Sequence, residues 1–318
     1  EIKMPIVSRD VHIDKPLSNL VVGFEPQGTI VQNFLPIINV QKQSDLFFKY
    51  EKGDFFRIPT TTRRAPKTKG QTVSFNVSSE TYFAKNYALL DEMDYETLVN
   101  QDDPLKLQEK AARNLFNLLM LDMDNRVASQ IRSVSNMGSG ATVTSKWSSK
   151  TAGTSDPFND VAVAKNFIRE NTGYDPNTII FGRTAYNALL KHDDILERIK
   201  YVQRGVVTAD LLAALFDVEN VYIGSSIINT GEENQADNFS DVWGEDTIVG
   251  RFAPADADGR DPSLMYGMRW TNPMFGTPMA AETWDDPDHR NFTNIRLQYY
   301  QDEKITAKEL GYVIKDCV

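Results

Sequence analysis

From Pro104 to Met137 the sequence holds one uninterrupted apolar stripe at helical spacing, and a helix of that length constrains everything around it. Leu105, Ala112, Phe116, Leu119, Met120, Met123, Val127, Ile131 and Val134 recur at intervals of three, four or seven, the period of one helix face. Asp102-Asp103-Pro104 supplies a carboxylate cap and a first-turn proline, and Gly138 a stop. Such a helix would be about 50 Å long at 1.5 Å per residue, several times the roughly 11 to 12 residues of an average globular helix. Asn114, Asp122 and Asn125 break any heptad register, so the helix reads as a spine carrying a sheet or other helices rather than as a coiled coil.

The segments before this spine lack a helical period. Pro5, Pro16, Pro26 and Pro36 punctuate residues 1 to 40, with Val21-Val22 and Ile37-Ile38 between them. Prolines at that density prevent a continuous helix and weaken strand pairing, which predicts an extended arm that needs something else to lie upon. From Leu46 to Leu90 the pattern turns β-like. Val73, Phe75 and Val77 alternate with polar residues, and a partner strand is expected within Phe47 to Ile58. Between them the stretch from Pro59 to Gly70 is basic, holds no acidic side chain and is rich in turn formers. A two-stranded hairpin is marginal in water by itself, so this one must find burial either on its own body or across a neighbour.

Beyond the spine, Ser139 to Ser155 reads as a linker or exposed loop, and an alternating α and β region follows. Asp156-Pro157 starts a helix that Gly173 ends, Thr178 to Phe181 is a short buried strand, and helices are expected over 184–191 and 194–200. Thr208 caps another helix before a strand at Asn220 to Ile223, and Thr247 to Phe252 is a strand within an acidic, loop-rich stretch. Period 2 returns at Ile295, Leu297 and Tyr299. A turn near Asp302-Glu303 would lead into Leu310, Tyr312 and Ile314, closing a C-terminal hairpin.

Composition narrows the function. The 318 residues are 41% hydrophobic, which is ordinary for a globular chain, and the net charge is −10. A surface of that sign repels polyanions, which disfavours a dedicated nucleic-acid or anionic-membrane binder. No stretch reaches the roughly 18 to 20 apolar residues of a membrane helix. The single cysteine, Cys317, excludes an internal disulfide framework and reads as a free thiol. There is no P-loop, GxGxxG, HExxH, CxxC or GxSxG pattern, and the histidines are His12, His192 and His289. Asp285-Asp286-Pro287-Asp288-His289 holds suitable metal ligands without a helical spacing to converge them, so a polar loop is favoured and no metal or cofactor is expected.

The order of parts (proline-rich arm, long hairpin with a basic tip, spine helix, α/β region, closing strands) resembles the major capsid protein of tailed bacteriophages, the Hong Kong 97 type. The resemblance is carried by Phe34-Leu35-Pro36-Ile37 through Lys42-Gln43-Ser44-Asp45, Tyr50-Glu51-Lys52-Gly53-Asp54-Phe55-Phe56-Arg57 and Tyr87-Ala88-Leu89-Leu90-Asp91-Glu92. Ile195 to Tyr201, Arg204 to Thr208 and Leu310 to Asp316 extend it across nearly the whole chain. It implies an α+β fold with an N-terminal arm over 1–44, an extended E-loop hairpin over 45–95 and a P-domain with the spine helix over 96–155. An A-domain over 156–290 and C-terminal strands over 291–318 that return to the P-domain complete it. It implies a structural, non-enzymatic coat protein that assembles in the host cytoplasm with itself into pentamers and hexamers of an icosahedral virion shell. Scaffolding, portal and decoration proteins are the implied partners, and double-stranded DNA is enclosed without sequence-specific contacts. No scaffolding segment is expected ahead of the hairpin.

Physical reading of the same residues nominates an inter-subunit surface. Phe47, Phe48, Phe55, Phe56 and Phe75 are candidates for burial on a neighbour, at roughly 25 cal/mol per Å². Arg57, Arg63, Arg64, Lys67 and Lys69 at the tip are candidates to meet acid on an adjacent copy: Glu232-Glu233, Asp256 and Asp258, or Asp285, Asp286 and Asp288. Solvated loop charges are the plain alternative, since exposed pairs contribute about 0 to 1 kcal/mol each. The rival functions are an encapsulin-like shell loading protein cargo, a soluble hydrolase using the Asp285 to His289 cluster, and a monomeric adhesion or binding module.

Overall fold

The computed structural model describes residues 12–13, 28–50, 52–58, 62–94, 104–149, 155–199, 208–232, 235–274, 276–285 and 292–318. In chain order it runs β1 (His12–Ile13), α1 (Val31–Phe34), β2 (Ile37–Val40), β3 (Ser44–Tyr50), α2 (Lys52–Phe56), β4 (Val77–Phe83), β5 (Lys85–Asp94), α3 (Pro104–Ile131) and β6 (Ser139–Thr142). It continues through α4 (Pro157–Thr172), β7 (Thr178–Gly182), α5 (Arg183–Leu189), α6 (Asp193–Ile199), α7 (Ala209–Phe216), β8 (Asn220–Gly224), β9 (Ile227–Asn229) and β10 (Phe239–Asp241). The last strands are β11 (Thr247–Gly250), β12 (Met265–Trp270), β13 (Met279–Asp285), β14 (Phe292–Ile305) and β15 (Gly311–Lys315).

Two sheets share one core. In the first, the order is β1-β13-β14-β12-β2, with β5 paired along β14 from Phe292 to Gln301. In the second, the order is β6-β15-β11-β7-β8. Its β7 and β8 are parallel, so the chain must cross over between them, and α5, α6 and α7 make that crossover. Every residue of β7 is buried, as expected of a strand covered on both faces. β12 and β13 run in the sheet of β14, alongside the spine helix, rather than in the sheet of β7 and β8.

The spine helix α3 is 28 residues, about 42 Å. Ala112, Phe116, Leu119, Met120, Met123, Val127 and Ile131 are buried on one face, as their spacing requires. It stops at Ile131 rather than Met137, and Val134 is exposed on a short 3-10 turn. The backbone leaves the helix at Ser133, which is extended at φ −82° and ψ 118°, and beside it the Arg132 side chain bonds the Asp246 carboxylate at 2.7 Å and the Val242 carbonyl at 2.8 Å. Gly138 is needed for space, since a Cβ there would lie 2.7 Å from the Glu309 Cα. The expected cap at Asp102 and Asp103 lies outside the described residues. The caps of α4 and α7 form as read, with Asp156 accepting from the Asn159 N–H at 3.0 Å and Thr208 from the Leu211 N–H at 3.4 Å. Gly173 closes α4 in the left-handed conformation at φ 74°.

Four sequence expectations change. Residues 28–40 of the arm lie on their own body: Ile30, Val31, Phe34 and Leu35 are core residues, and β2 runs parallel to β12. In the hairpin, β3 ends at Tyr50 and residues 52–56 turn helical, while β4 starts only at Val77. Val73 and Phe75 therefore sit outside the ladder, because the buried Asp54 carboxylate takes the Asn76 N–H at 2.8 Å where a strand partner would have been. No turn forms at Asp302-Glu303: both pair with β12, β14 continues to Ile305, and β15 crosses to the other sheet. Glu303 is an interior polar residue rather than a turn former, bonded to Arg126 at 2.9 Å and to Gln301 at 3.1 Å. Within the stretch read as a loop from Ser139 to Ser155, residues 139–142 form the edge strand β6. Trp147 there is fully buried, with its indole N–H on Asp160 at 2.9 Å.

Candidate inter-subunit surface

The hairpin is built from seven antiparallel pairs, Ser44↔Phe83 to Tyr50↔Val77. The register puts Leu46, Phe48, Val77 and Phe83 on one face of the ribbon, and Phe47 and the buried Tyr82 on the other. Phe48 is 73% exposed and Ile58 84%, and Leu46, Phe56, Val73, Phe75, Val77 and Phe83 are exposed as well. Phe47 is half-buried. The side chain of Phe55 lies outside what the structure describes. Of the body, the Phe56 ring edge touches Gly173, where an added Cβ would lie 3.1 Å from Cζ. Exposed apolar side chains gathered along one hairpin, on a chain that has an apolar core of its own, mark an interaction site.

Arg57, Arg63, Arg64, Lys67 and Lys69 are all exposed. Lys67 takes φ 64° in the tip turn, which the Thr68 N–H and hydroxyl close onto the Ala65 carbonyl at 3.2 and 2.8 Å. Arg57 lies 3.8 Å from the Asp54 carboxylate, within the hairpin. The acidic candidates sit elsewhere. Glu232 follows β9, Asp256 and Asp258 lie in the loop after β11, and Asp285 ends β13, where it accepts from the Thr293 hydroxyl at 3.0 Å. Asp258 already lies 3.4 Å from Arg260. Glu233, Asp286 and Asp288 lie outside the described residues, as does His289. Among the described residues no group of three or more His, Cys, Asp or Glu is placed to hold a metal.

His192 does acquire partners that periodicity could not reveal. Ser155 Oγ lies 2.7 Å from His192 Nε2, and Asp194 is adjacent, the residue types of a nucleophilic triad. The hydrogen bonding runs the other way. His192 Nδ1 accepts the Asp194 backbone N–H at 3.3 Å, so the ring proton sits on Nε2 and is donated to Ser155, whose hydroxyl is donated to the Ser149 carbonyl at 3.3 Å. Ser155 and His192 are both buried. A base needs a free Nε2 lone pair facing its serine; this trio is a structural tie.

The polar groups that join the parts were not legible as motifs. Asp124, fully buried in mid-spine, accepts from the Ile30 and Val31 N–H groups at 3.1 and 3.2 Å, from the Trp243 indole at 2.8 Å and from the Ser226 hydroxyl. It thereby caps α1 from outside. Burial pushes its carboxyl above the ordinary carboxylate range against the pull of these four donors. Arg126 spans the spine and β14 through Glu303 and the Tyr299 hydroxyl, and stacks 3.6 Å over the Tyr87 ring. Burial pushes the Tyr299 hydroxyl up to about 12. Asp246 gathers Arg132 and, at 2.6 Å, Lys315. The Cys317 thiol is buried against Thr247 and is pushed up to about 12 by burial, so it is an inert core group.

Residues 137–258 match the family described as phage major capsid protein E. The chain is 28% identical over 275 residues to a major capsid protein of Burkholderia phage BcepMu, covering 83% of this chain and 86% of that one. In structure it is similar to a phage-related protein from Bordetella bronchiseptica RB50, with a TM-score of 0.75 at 22% identity over 96% and 98% of the two chains. It is also similar to the capsid of cyanophage P-SCSP1u, with a TM-score of 0.56 at 13% identity over 92% and 89%. At those identities the structural likeness speaks to the fold.

Proposed function

We infer that this chain is a phage major capsid protein with the Hong Kong 97-type fold, a shell subunit whose work is self-association rather than catalysis. The observation that carries the inference is the hairpin: seven ladder pairs, exposed aromatic and aliphatic side chains gathered on one face of the ladder, and an apolar core assembled elsewhere. A monomer would gain nothing from that exposure and would risk aggregation. A second copy lying under the hairpin removes both problems. Weak contacts of this kind stay correctable singly and hold a closed shell collectively.

In finer detail, the hairpin up to Phe83 acts as the E-loop across a neighbouring subunit, while Lys85–Asp94, expected in the same loop, pairs with β14 of its own body. The spine helix, with β14, β13 and β12 beside it, forms the P-domain floor, and the sheet of β7, β8 and β11 with its helices forms the A-domain. Heterologous contacts close five- and sixfold rings, and the rings close an icosahedral virion shell around double-stranded DNA. The tip cations meet acidic surface on the adjacent copy. Scaffolding and portal proteins direct assembly in the host cytoplasm, and decoration proteins bind the finished surface. The net charge of −10 suits containment, because a strongly basic wall would grip phosphates and slow release.

Negative-stain microscopy of the expressed protein tests the reading. Closed particles are expected, and a monomer at every concentration overturns it. Nucleic acid inside particles recovered from a lytic host separates a phage head from a shell loading protein cargo.

A further inference from the structure

The hairpin meets the body through two short feet. On one side β2 ends at Val40, three residues follow, and β3 begins at Ser44, with Trp270 holding the Gln41 carbonyl at 3.1 Å. On the other, Phe83 is the last hairpin residue and Lys85 the first in the body sheet, paired with Gln301, so Ala84 alone separates two ladders. Ala84 is fully buried, its N–H donated to the Gln43 carbonyl at 2.8 Å while Gln43 Nε2 returns a bond to the Ala84 carbonyl at 3.1 Å. This reciprocal pair ties the two feet together and defines an axis. The ribbon beyond is stiffened by its ladder, so any change in its direction concentrates at Gln43 and Ala84.

Among the described residues the Asp302 side chain bonds across that axis. The Phe83 N–H, which faces away from β3, is donated to Asp302 Oδ2 at 3.1 Å. Asp302 stands on a fixed platform, since its backbone pairs with Met268 of β12 and its neighbour Gln301 pairs with β5. Farther out the Phe56 ring rests on Gly173 but stays 62% exposed, a light contact. We propose that Asp302 is a positioning residue that sets the angle of the hairpin on the body, and that exchange of this single bond lets one chain present its hairpin at the different angles of five- and sixfold rings. The second clause rests on the shell reading; the first does not.

Spin labels at Gln71→Cys on the hairpin and Ser129→Cys on the spine, both exposed sites, report the angle in unassembled subunits, since Cys317 is buried and inert to labelling. Asp302→Asn keeps an acceptor oxygen and is expected to retain the wild-type distance distribution. Asp302→Ala is expected to widen it, with coincident thermal melts showing that the fold is intact. An unchanged width in Asp302→Ala overturns the latch, and so does equal widening in both variants. In assembly, Asp302→Ala is expected to yield mixed particle sizes and Asp302→Asn one size. Uniform wild-type particles from a subunit with a widened hairpin overturn the link to ring geometry, whereas absence of particles from the wild type too counts against the shell reading alone.

Discussion

The indole N–H of Trp243 is donated to Asp124 Oδ2 at 2.8 Å, joining the spine helix to the loop that leads into β11. The same carboxylate holds the first residues of α1, and Phe34 of that helix packs edge-on against Trp243, ring centroids 6.0 Å apart. Arm, spine and α/β sheet thus meet at one buried side chain.

Asp124→Ala leaves the Trp243 indole and two backbone N–H groups buried without acceptors. At about 1 to 3 kcal/mol for each such group, with partial relaxation, a loss of about 3 kcal/mol is expected. Urea denaturation of the purified subunit measures it. A change under about 0.5 kcal/mol, the range of a surface substitution, would place the carboxylate outside the core network.

The same residue makes a pH prediction. Its folded carboxyl titrates above the unfolded value of about 3.9, so the fold binds the proton more tightly than the unfolded chain does. The stability this supplies is complete below about pH 4 and is lost as pH rises through the raised value. Wild type should therefore lose ground to Asp124→Asn as urea midpoints are followed upward from about pH 4. A wild type that gains on Asp124→Asn as pH rises would reverse the assignment.

Arg126→Met strands Glu303, which is 5% exposed, without its cation. Breaking a buried pair from one side costs about 3 to 5 kcal/mol, and removing both charges restores most of it. Thermal melts of Arg126→Met and of the double variant with Glu303→Gln check this; equal losses in the two would mean the ion pair is not the coupling.

Phe48→Ser should leave the melting of the isolated subunit within about 0.5 kcal/mol, because the ring is already in water. Its effect should fall on assembly, seen as a lower yield of particles by sedimentation. A destabilised subunit with normal particle yield would mean that the ring is buried at home.

Reversing Arg63 and Arg64 to glutamate tests the tip. Each exposed contact is worth about 0 to 1 kcal/mol, but every subunit of a shell repeats it. Particle yield should fall, most at low salt where screening is weakest. Particles of unchanged yield and stability would retire the charge proposal.

Parts of this architecture could be read directly because their information is local. The spine's buried face follows from spacing alone, and so do the caps at Asp156 and Thr208 and the left-handed stop at Gly173. Exposed aromatics beside a basic tip could be identified as surface candidates from residue type. The strand at 72–78 misled because alternation reports a pleat, whereas Asp54, over twenty positions away, takes the N–H that would have extended the ladder. Asp302-Glu303 misled for the same reason: their polarity suggested a turn until Arg126 supplied a buried partner.

What the sequence determined by itself was therefore the kind of the spine, of the helices capped at Asp156 and Thr208 and of the short buried strands, together with the excess of apolar surface at the front of the chain, since these are set by residue type and short-range period. Which strands share a sheet, why part of the arm folds home while the hairpin does not, and the role of Asp124 were decided only in three dimensions. Each depends on a hydrogen-bond partner tens to hundreds of positions distant, and a one-dimensional pattern carries no record of such a partner.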